Sequence, residues 1–245
     1  MTEKKKLPTL TSPRMTLKWP KLNEPDYGSK DYPKEDGEFS TKGVLRLGSP
    51  ECDALLKVLQ PLHDEAVSLA EQAFKELKVD VRKKLEAKNG KKGVQINALY
   101  TAIYDKETEE PTGDVEFKFV TTASGVYKNG PKAGKRWNRE VAIFDAKGIA
   151  MAKAPDIWGG TVAKVSYKAS PYFIAGTGAA GLKLNLDAVQ IIDLVSKGSR
   201  AASSYGFGEE DGGYEYDPSD DSTDDASGDG EQAGEQRAAP GETDF

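Results

Sequence analysis

The 245-residue chain has few of the residues that staple or metallate a domain: one cysteine, Cys52, and one histidine, His63. A single thiol excludes an internal disulfide, and one histidine with one cysteine leaves no ligand set for zinc. No apolar run is long enough to span a bilayer, and Met1-Thr2-Glu3-Lys4-Lys5-Lys6 leads into no hydrophobic signal core. No membrane contact or export is therefore expected, and the chain reads as cytosolic. Aliphatic residues are nearly absent from the end of the chain. A segment of that kind cannot bury enough apolar surface to offset its ordering entropy, so residues 209–245 are expected to form a disordered tail. Residues 1–208 suit one domain with insertions.

Catalytic constellations are missing too. His63 lies among apolar neighbours on a helical stretch with no paired nucleophile, and no Asp/Glu pair is marked as an acid/base dyad, so no enzymatic activity is expected. Gly176-Thr177-Gly178-Ala179-Ala180-Gly181 satisfies the spacing of a dinucleotide fingerprint, which needs a helix directly afterwards. Leu182-Lys183-Leu184-Asn185-Leu186-Asp187 alternates instead, as a strand does, and the glycines read as a loop between strands. Gly130-Pro131-Lys132-Ala133-Gly134-Lys135 has the wrong spacing for a P-loop. Asp225, Ser227, Asp229 and Gly230 fall at calcium-loop spacing, but Gln236 occupies the place of the bidentate Glu. No cofactor or metal is expected.

What is present is charge, unevenly placed. Residues 209–245 hold fourteen Asp and Glu against one basic residue, Arg237, and removing that net −13 from the whole-chain −6 leaves +7 on residues 1–208. A basic body with an acidic tail sets up a competition, because the surface that binds a polyanion can also be covered by the chain's own.

Periodicity supplies the elements. Residues 1–40 are rich in Pro, Gly and charge and read mostly as ordered loop, with one extended candidate at Met15-Thr16-Leu17-Lys18-Trp19. Thr41-Lys42-Gly43-Val44-Leu45-Arg46-Leu47 alternates as a half-buried strand does. Ser49-Pro50-Glu51 then starts a helix: Ser caps, Pro sits where its missing N–H costs nothing, and Glu favours the dipole. Leu55, Leu59, Leu62, Ala66, Leu69, Ala73 and Leu77 form its apolar stripe over about residues 50–78, widened by Val67, Ala70 and Phe74. Pro61 is expected to kink or restart it. The basic stretch from Arg82 to Gly93 reads as a solvated loop or a phosphate-contacting arm. Beyond it the period falls to two around Val94, Val115 to Phe119, Val141 to Phe144, Val162 to Ala169 and Leu182 to Val195, with Gly- and Pro-rich turns between. The chain is thus mainly β with one long helix, and a closed or partly closed antiparallel barrel is expected, with a sandwich as the alternative.

Aromatic and basic residues interleave in the strand region. Lys118 lies between Phe117 and Phe119; Arg136 and Arg139 flank Trp137; Lys164, Tyr167, Lys168, Tyr172 and Phe173 follow within ten positions. Single-stranded nucleic acid needs both types, because cations track its backbone while exposed rings stack on its unpaired bases. Alternation puts Lys164, Ser166 and Lys168 on one face and Val165 and Tyr167 on the other. Tyr167 is open to two readings, core packing or the groove. Tyr172 and Phe173 follow Pro171 in what reads as a loop, where stacking is favoured.

These residues, taken in order, resemble the single-stranded DNA-binding proteins of T-seven-like bacteriophages. The likeness runs through Pro25-Asp26-Tyr27-Gly28, Gly43-Val44, Ser49-Pro50 and the long helix, Phe117-Lys118-Phe119 and Asp145-Ala146-Lys147-Gly148. It continues through Gly159-Gly160, Lys164-Val165-Ser166-Tyr167 and Pro171-Tyr172, and ends on Asp244-Phe245. The resemblance implies an OB-fold-like barrel with a long helix, a homodimer, and an acidic tail that competes with DNA for a basic groove. It also implies that the tail, through Asp244 and Phe245, contacts the phage DNA polymerase and helicase-primase. It places Tyr172 as a base-stacking residue and Lys42, Lys118 and Lys164 on or near the groove. The chain departs from the family pattern at Ser166, where a second lysine is usual, and shortly after Tyr172, where Phe173 stands nearest to an expected tryptophan. With Arg46 on the Lys42 strand, these residues form the candidate interface for single-stranded DNA in the cytoplasm of an infected bacterial host. The rival reading is an acidic-tailed protein-interaction or chaperone-like module.

Overall fold

The computed structural model describes residues 7–196, and the acidic tail with Asp244 and Phe245 lies outside them. Eleven strands and two helices follow in the order β1 (Leu10–Thr11), β2 (Met15–Gly28), β3 (Pro33–Arg46), α1 (Pro50–Glu76), α2 (Val79–Asn89), β4 (Gln95–Ile96), β5 (Thr101–Tyr104), β6 (Pro111–Thr122), β7 (Ser124–Val126), β8 (Arg136–Asn138), β9 (Ala142–Phe144), β10 (Val162–Ile174) and β11 (Ala179–Asp193).

Five of these strands close a barrel. β2 pairs with β3, β3 with β6 and β10 with β11, all antiparallel; β10 returns to β2 through Ala163 opposite Met15. The seam between β6 and β11 is parallel, with Leu184 beside Phe119. This closed, five-stranded arrangement is OB-like, and closure removes the sheet edges that would otherwise invite pairing with another chain. Alternation does the sorting. On β3, Phe39, Thr41, Gly43 and Leu45 point in while Ser40, Lys42 and Val44 point out; on β6, Val115, Phe117 and Phe119 point in. Phe119 meets the Tyr167 ring edge-on at 5.2 Å, and Met15, Leu17, Val165, Leu186 and Val189 complete the interior.

α1 packs Cys52, Leu55 and Leu59 against the barrel. Its N-terminus is built as the sequence indicates: the Ser49 hydroxyl accepts from the Cys52 amide at 3.2 Å and Pro50 opens the helix. Three details differ from expectation. The helix runs unbroken through Pro61, which faces solvent, where the backbone carbonyl it leaves unpaired can be hydrated. Leu69 is exposed, and Ala70 and Phe74 carry the stripe instead. The basic stretch is not a loop but mostly α2, which tucks Leu85 into a second apolar cluster with Phe74 and Val94.

Residues 15–40 are likewise mostly strand and not loop. β2 and β3 form a long hairpin whose alternation is hidden in the sequence by Pro20, Pro25 and register shifts after Lys18 and Lys21.

Candidate nucleic-acid interface

The registers of the barrel bring cations together across strands. Lys18 on β2 stands opposite Lys42 on β3, and Lys42 stands opposite Lys118 on β6. The parallel seam continues the row: with Leu184 beside Phe119, Lys183 on β11 falls beside Lys118. Four lysines thus cross four adjacent strands on one outer face, spanning roughly 14 Å at the usual interstrand spacing. Like charges directly opposite one another destabilise a sheet, so the row stands at a cost to the fold.

One carboxylate offsets part of that cost. Glu116, almost wholly buried, accepts from the Lys18 ammonium at 3.1 Å and from that of Lys42. Burial alone would push its carboxyl up, but the hydrogen bonds from Lys42 and Lys18 outweigh it and hold the group below the ordinary value. Lys118 and Lys183 make no ion pair among the described residues.

Beside the row a groove of about 580 Å³ is lined by Lys42, Lys118, Lys183, Tyr100, Leu182 and Tyr172. The Tyr172 hydroxyl accepts a 2.6 Å bond from the Asn97 amide, and the ring lies across β11 at Gly181, where a Cβ would come within 3.2 Å of the phenol oxygen. Lys183 also borders a neighbouring hollow of about 320 Å³ with Lys128, Trp137, Arg139 and Asn185. There Trp137 lies against Gly125, whose absent side chain leaves the indole its place, and the Arg139 guanidinium sits 5.4 Å from the ring. The track therefore carries cations and aromatic rings, Tyr100, Tyr172 and Trp137.

Other candidates stand elsewhere. The Tyr167 ring is fully buried in the barrel, so it belongs to the core and not to the groove; its hydroxyl has no hydrogen-bond partner among the described residues, and burial pushes it up to about 12. Phe173 packs toward the Phe74 cluster and is scaffold. Both Tyr172 and Phe173 sit on β10, which extends through Pro171 to Ile174 where a loop was expected. Lys164 lies on a separate hollow with Phe144 and Gln190. Lys168 pairs with Asp187 at 3.2 Å, Arg46 with Asp114 at 3.5 Å, and Arg136 bonds the Ser124 hydroxyl at 2.7 Å with Asp36 at 3.8 Å.

With the barrel and its basic face described, comparison with known proteins is decisive. The profile of the family "Single-stranded DNA-binding protein, Bacteriophage T7" matches residues 16–194. The chain belongs to this family. Within it, the single-stranded DNA-binding protein of Enterobacteria phage T3 is 28% identical over 195 residues, covering 79% of this chain and 78% of that protein. The single-stranded DNA-binding protein of Escherichia phage T7 is 26% identical over 196 residues, covering 78% and 74%. The crystal structure of the phage T7 protein shares the fold, with a TM-score of 0.54 at 22% identity over 86% of this chain and all of that one.

For this member of the phage T7 single-stranded DNA-binding protein family, sequence reasoning missed Lys18, Lys183 and Glu116. Lys18 fell within the one stretch before Thr41 read as extended, Met15 to Trp19, but nothing local marked it as facing other lysines. Lys183 is legible only as one lysine in an alternating strand. The signal joining these residues is the cross-strand register, which no linear pattern contains.

Proposed function

We propose that this chain binds and protects single-stranded DNA without sequence preference during phage DNA replication, recombination and repair, and that it is not an enzyme. The observation that carries the reading is the row of Lys18, Lys42, Lys118 and Lys183 running into the groove that holds Tyr172. Cations at strand spacing neutralise a phosphate backbone, and a half-buried ring held by Asn97 offers a π-face that every base can use. Family membership and the names of the phage T3 and T7 relatives support the same ligand.

The acidic residues 209–245 compete for this face, and when displaced by DNA they recruit the phage polymerase and helicase-primase through Asp244 and Phe245. The protein acts as a homodimer in the cytoplasm of the infected host. A labelled oligonucleotide titrated across salt tests the central claim. Affinity falls as salt rises because binding releases counterions. Absence of binding at low salt, or preference for duplex, overturns the reading. Deleting residues 209–245 tightens binding, and an unchanged affinity refutes the competition.

A further inference from the structure

Trp19 is the anomaly of the barrel. It keeps 66% of its surface in solvent, although tryptophan is among the residues with most to gain from burial. Its backbone sits at φ 50°, in the left-handed region that a bulky residue enters only at a cost. The strain coincides with the register shift after Lys18, where β2 departs from β3. Local propensity and core packing both argue against a tryptophan held this way.

Its neighbours give the ring a use. The Lys18 and Lys42 ammonium groups lie 4.6 and 4.9 Å from its centroid, so two members of the lysine row flank one indole. Glu116 accepts from both ammoniums and holds them in place. On the chain side, the Gly160 amide donates to the Leu17 carbonyl at 2.9 Å and the Leu17 amide donates to the Thr161 carbonyl at 2.8 Å, fixing the backbone two residues before the indole. The indole is therefore anchored along its backbone and braced by cations, with much of it open to solvent.

We infer that Trp19 is a base-stacking platform at the β2 end of the lysine row, taking an unpaired nucleobase of single-stranded DNA while Lys18 and Lys42 meet the adjoining phosphates. Tyr172 stacks a base beside the same lysines, since Lys42 and Glu116 border both its groove and the Trp19 cluster. DNA thus crosses the strands along the row from one ring toward the other. A braced ring loses little freedom on binding, so most of the stacking energy is retained. This inference rests on the proposed single-stranded DNA reading and adds to it a site and a direction.

The test uses the full chain. Substituting Trp137→Phe and Trp158→Phe leaves Trp19 as the sole tryptophan. Its emission is expected to be quenched by an unlabelled oligonucleotide over the concentration range in which anisotropy reports binding. In the otherwise native chain, Trp19→Ala is expected to weaken binding roughly 5- to 150-fold, the usual worth of one stacked base, with the salt slope unchanged. Trp19→Phe retains most of the affinity. Lys118→Ala serves as the contrast, because it flattens the salt slope by about 0.7. If the Trp137→Phe/Trp158→Phe chain binds by anisotropy but Trp19 emission does not respond, or Trp19→Ala binds within twofold of native, the platform is refuted and the DNA reading stands. If Trp19→Ala changes only the oligomeric state, the ring serves self-association and the inference is overturned. If the native chain fails to bind at low salt, both fall together.

Discussion

Replacing Glu116 with Gln is expected to weaken the fold and strengthen DNA binding at once. In the native chain one carboxylate serves two of four lysines in the row. Gln is close in shape but carries no charge, so one more phosphate can be neutralised. For single strands each neutralised phosphate adds about 0.7 to the salt slope, and at 0.1 M salt this corresponds to roughly fivefold tighter binding. The fold loses two charge-assisted hydrogen bonds to a buried carboxylate. Because the lysine partners are about a third exposed, the loss is set at about 1–3 kcal/mol in all. For a domain of this size that lowers the melting midpoint by roughly 2–12 °C. Anisotropy titrations at four or five salt concentrations, with thermal unfolding on the same samples, read both quantities. A variant that is folded at the assay temperature yet binds no tighter, with an unchanged slope, would refute the view of Glu116 as the counter-ion of the row. Acidification should act in the same sense. The Glu116 carboxyl is held below its ordinary value, so its contribution to stability is complete above that value and is lost as pH falls through the depressed one.

Two further substitutions separate groove from scaffold. Tyr172→Ala should weaken DNA binding roughly 5- to 150-fold at constant salt slope, and Tyr172→Phe much less, since only the Asn97 bond is lost. Tyr167→Phe should leave DNA affinity unchanged and stability equal or up to about 1–3 kcal/mol higher, because it removes a buried hydroxyl with no partner. Native Tyr167, pushed by burial to about 12, contributes stability that is complete below its ordinary value of 10.0 and lost as pH rises toward 12. Denaturant melts between pH 9 and 12 should show that alkaline loss in the native chain and less of it in the variant.

How much of this was legible in the sequence depends on how local each signal is. The α1 start was readable because Ser49, Pro50 and the amide of Cys52 lie within four residues of one another. Strand alternation around Phe117 and Phe119 was equally local, and it foretold a barrel but not its order. Lys42, Lys118 and Tyr172 were singled out and line one groove, whereas Lys164 lies on another hollow. Tyr167, open in the sequence between core and groove, and Phe173, read toward the groove, share a cause. Tyr167 and Phe173 look alike in sequence to any exposed aromatic near lysines, and only closure of β10 onto β11 and the packing of α1 decide which way each ring faces. Lys18 and Lys183 are 165 positions apart and become co-members of one row only through three registers. Trp19 falls inside the extended stretch that the sequence does show, but its exposure follows from the register shift after Lys18, which no linear pattern contains.

The parallel seam between β6 and β11 bears on how the protein is born. β11 is the last strand of the barrel, and it alone joins β10 to β6 while also holding β4 and β9. At synthesis rates of about 5–20 residues per second, β2, β3 and β6 emerge several seconds before it and have no partner to complete their shared interior. The ribosome therefore releases an unclosed sheet until Asp193 has cleared the exit tunnel, and a nascent chain stopped before that point should be digested by protease throughout its length. Genetic truncation from the C-terminal side should accordingly show a threshold at this strand, with a foldable domain on one side of it and no half-sized remnant on the other.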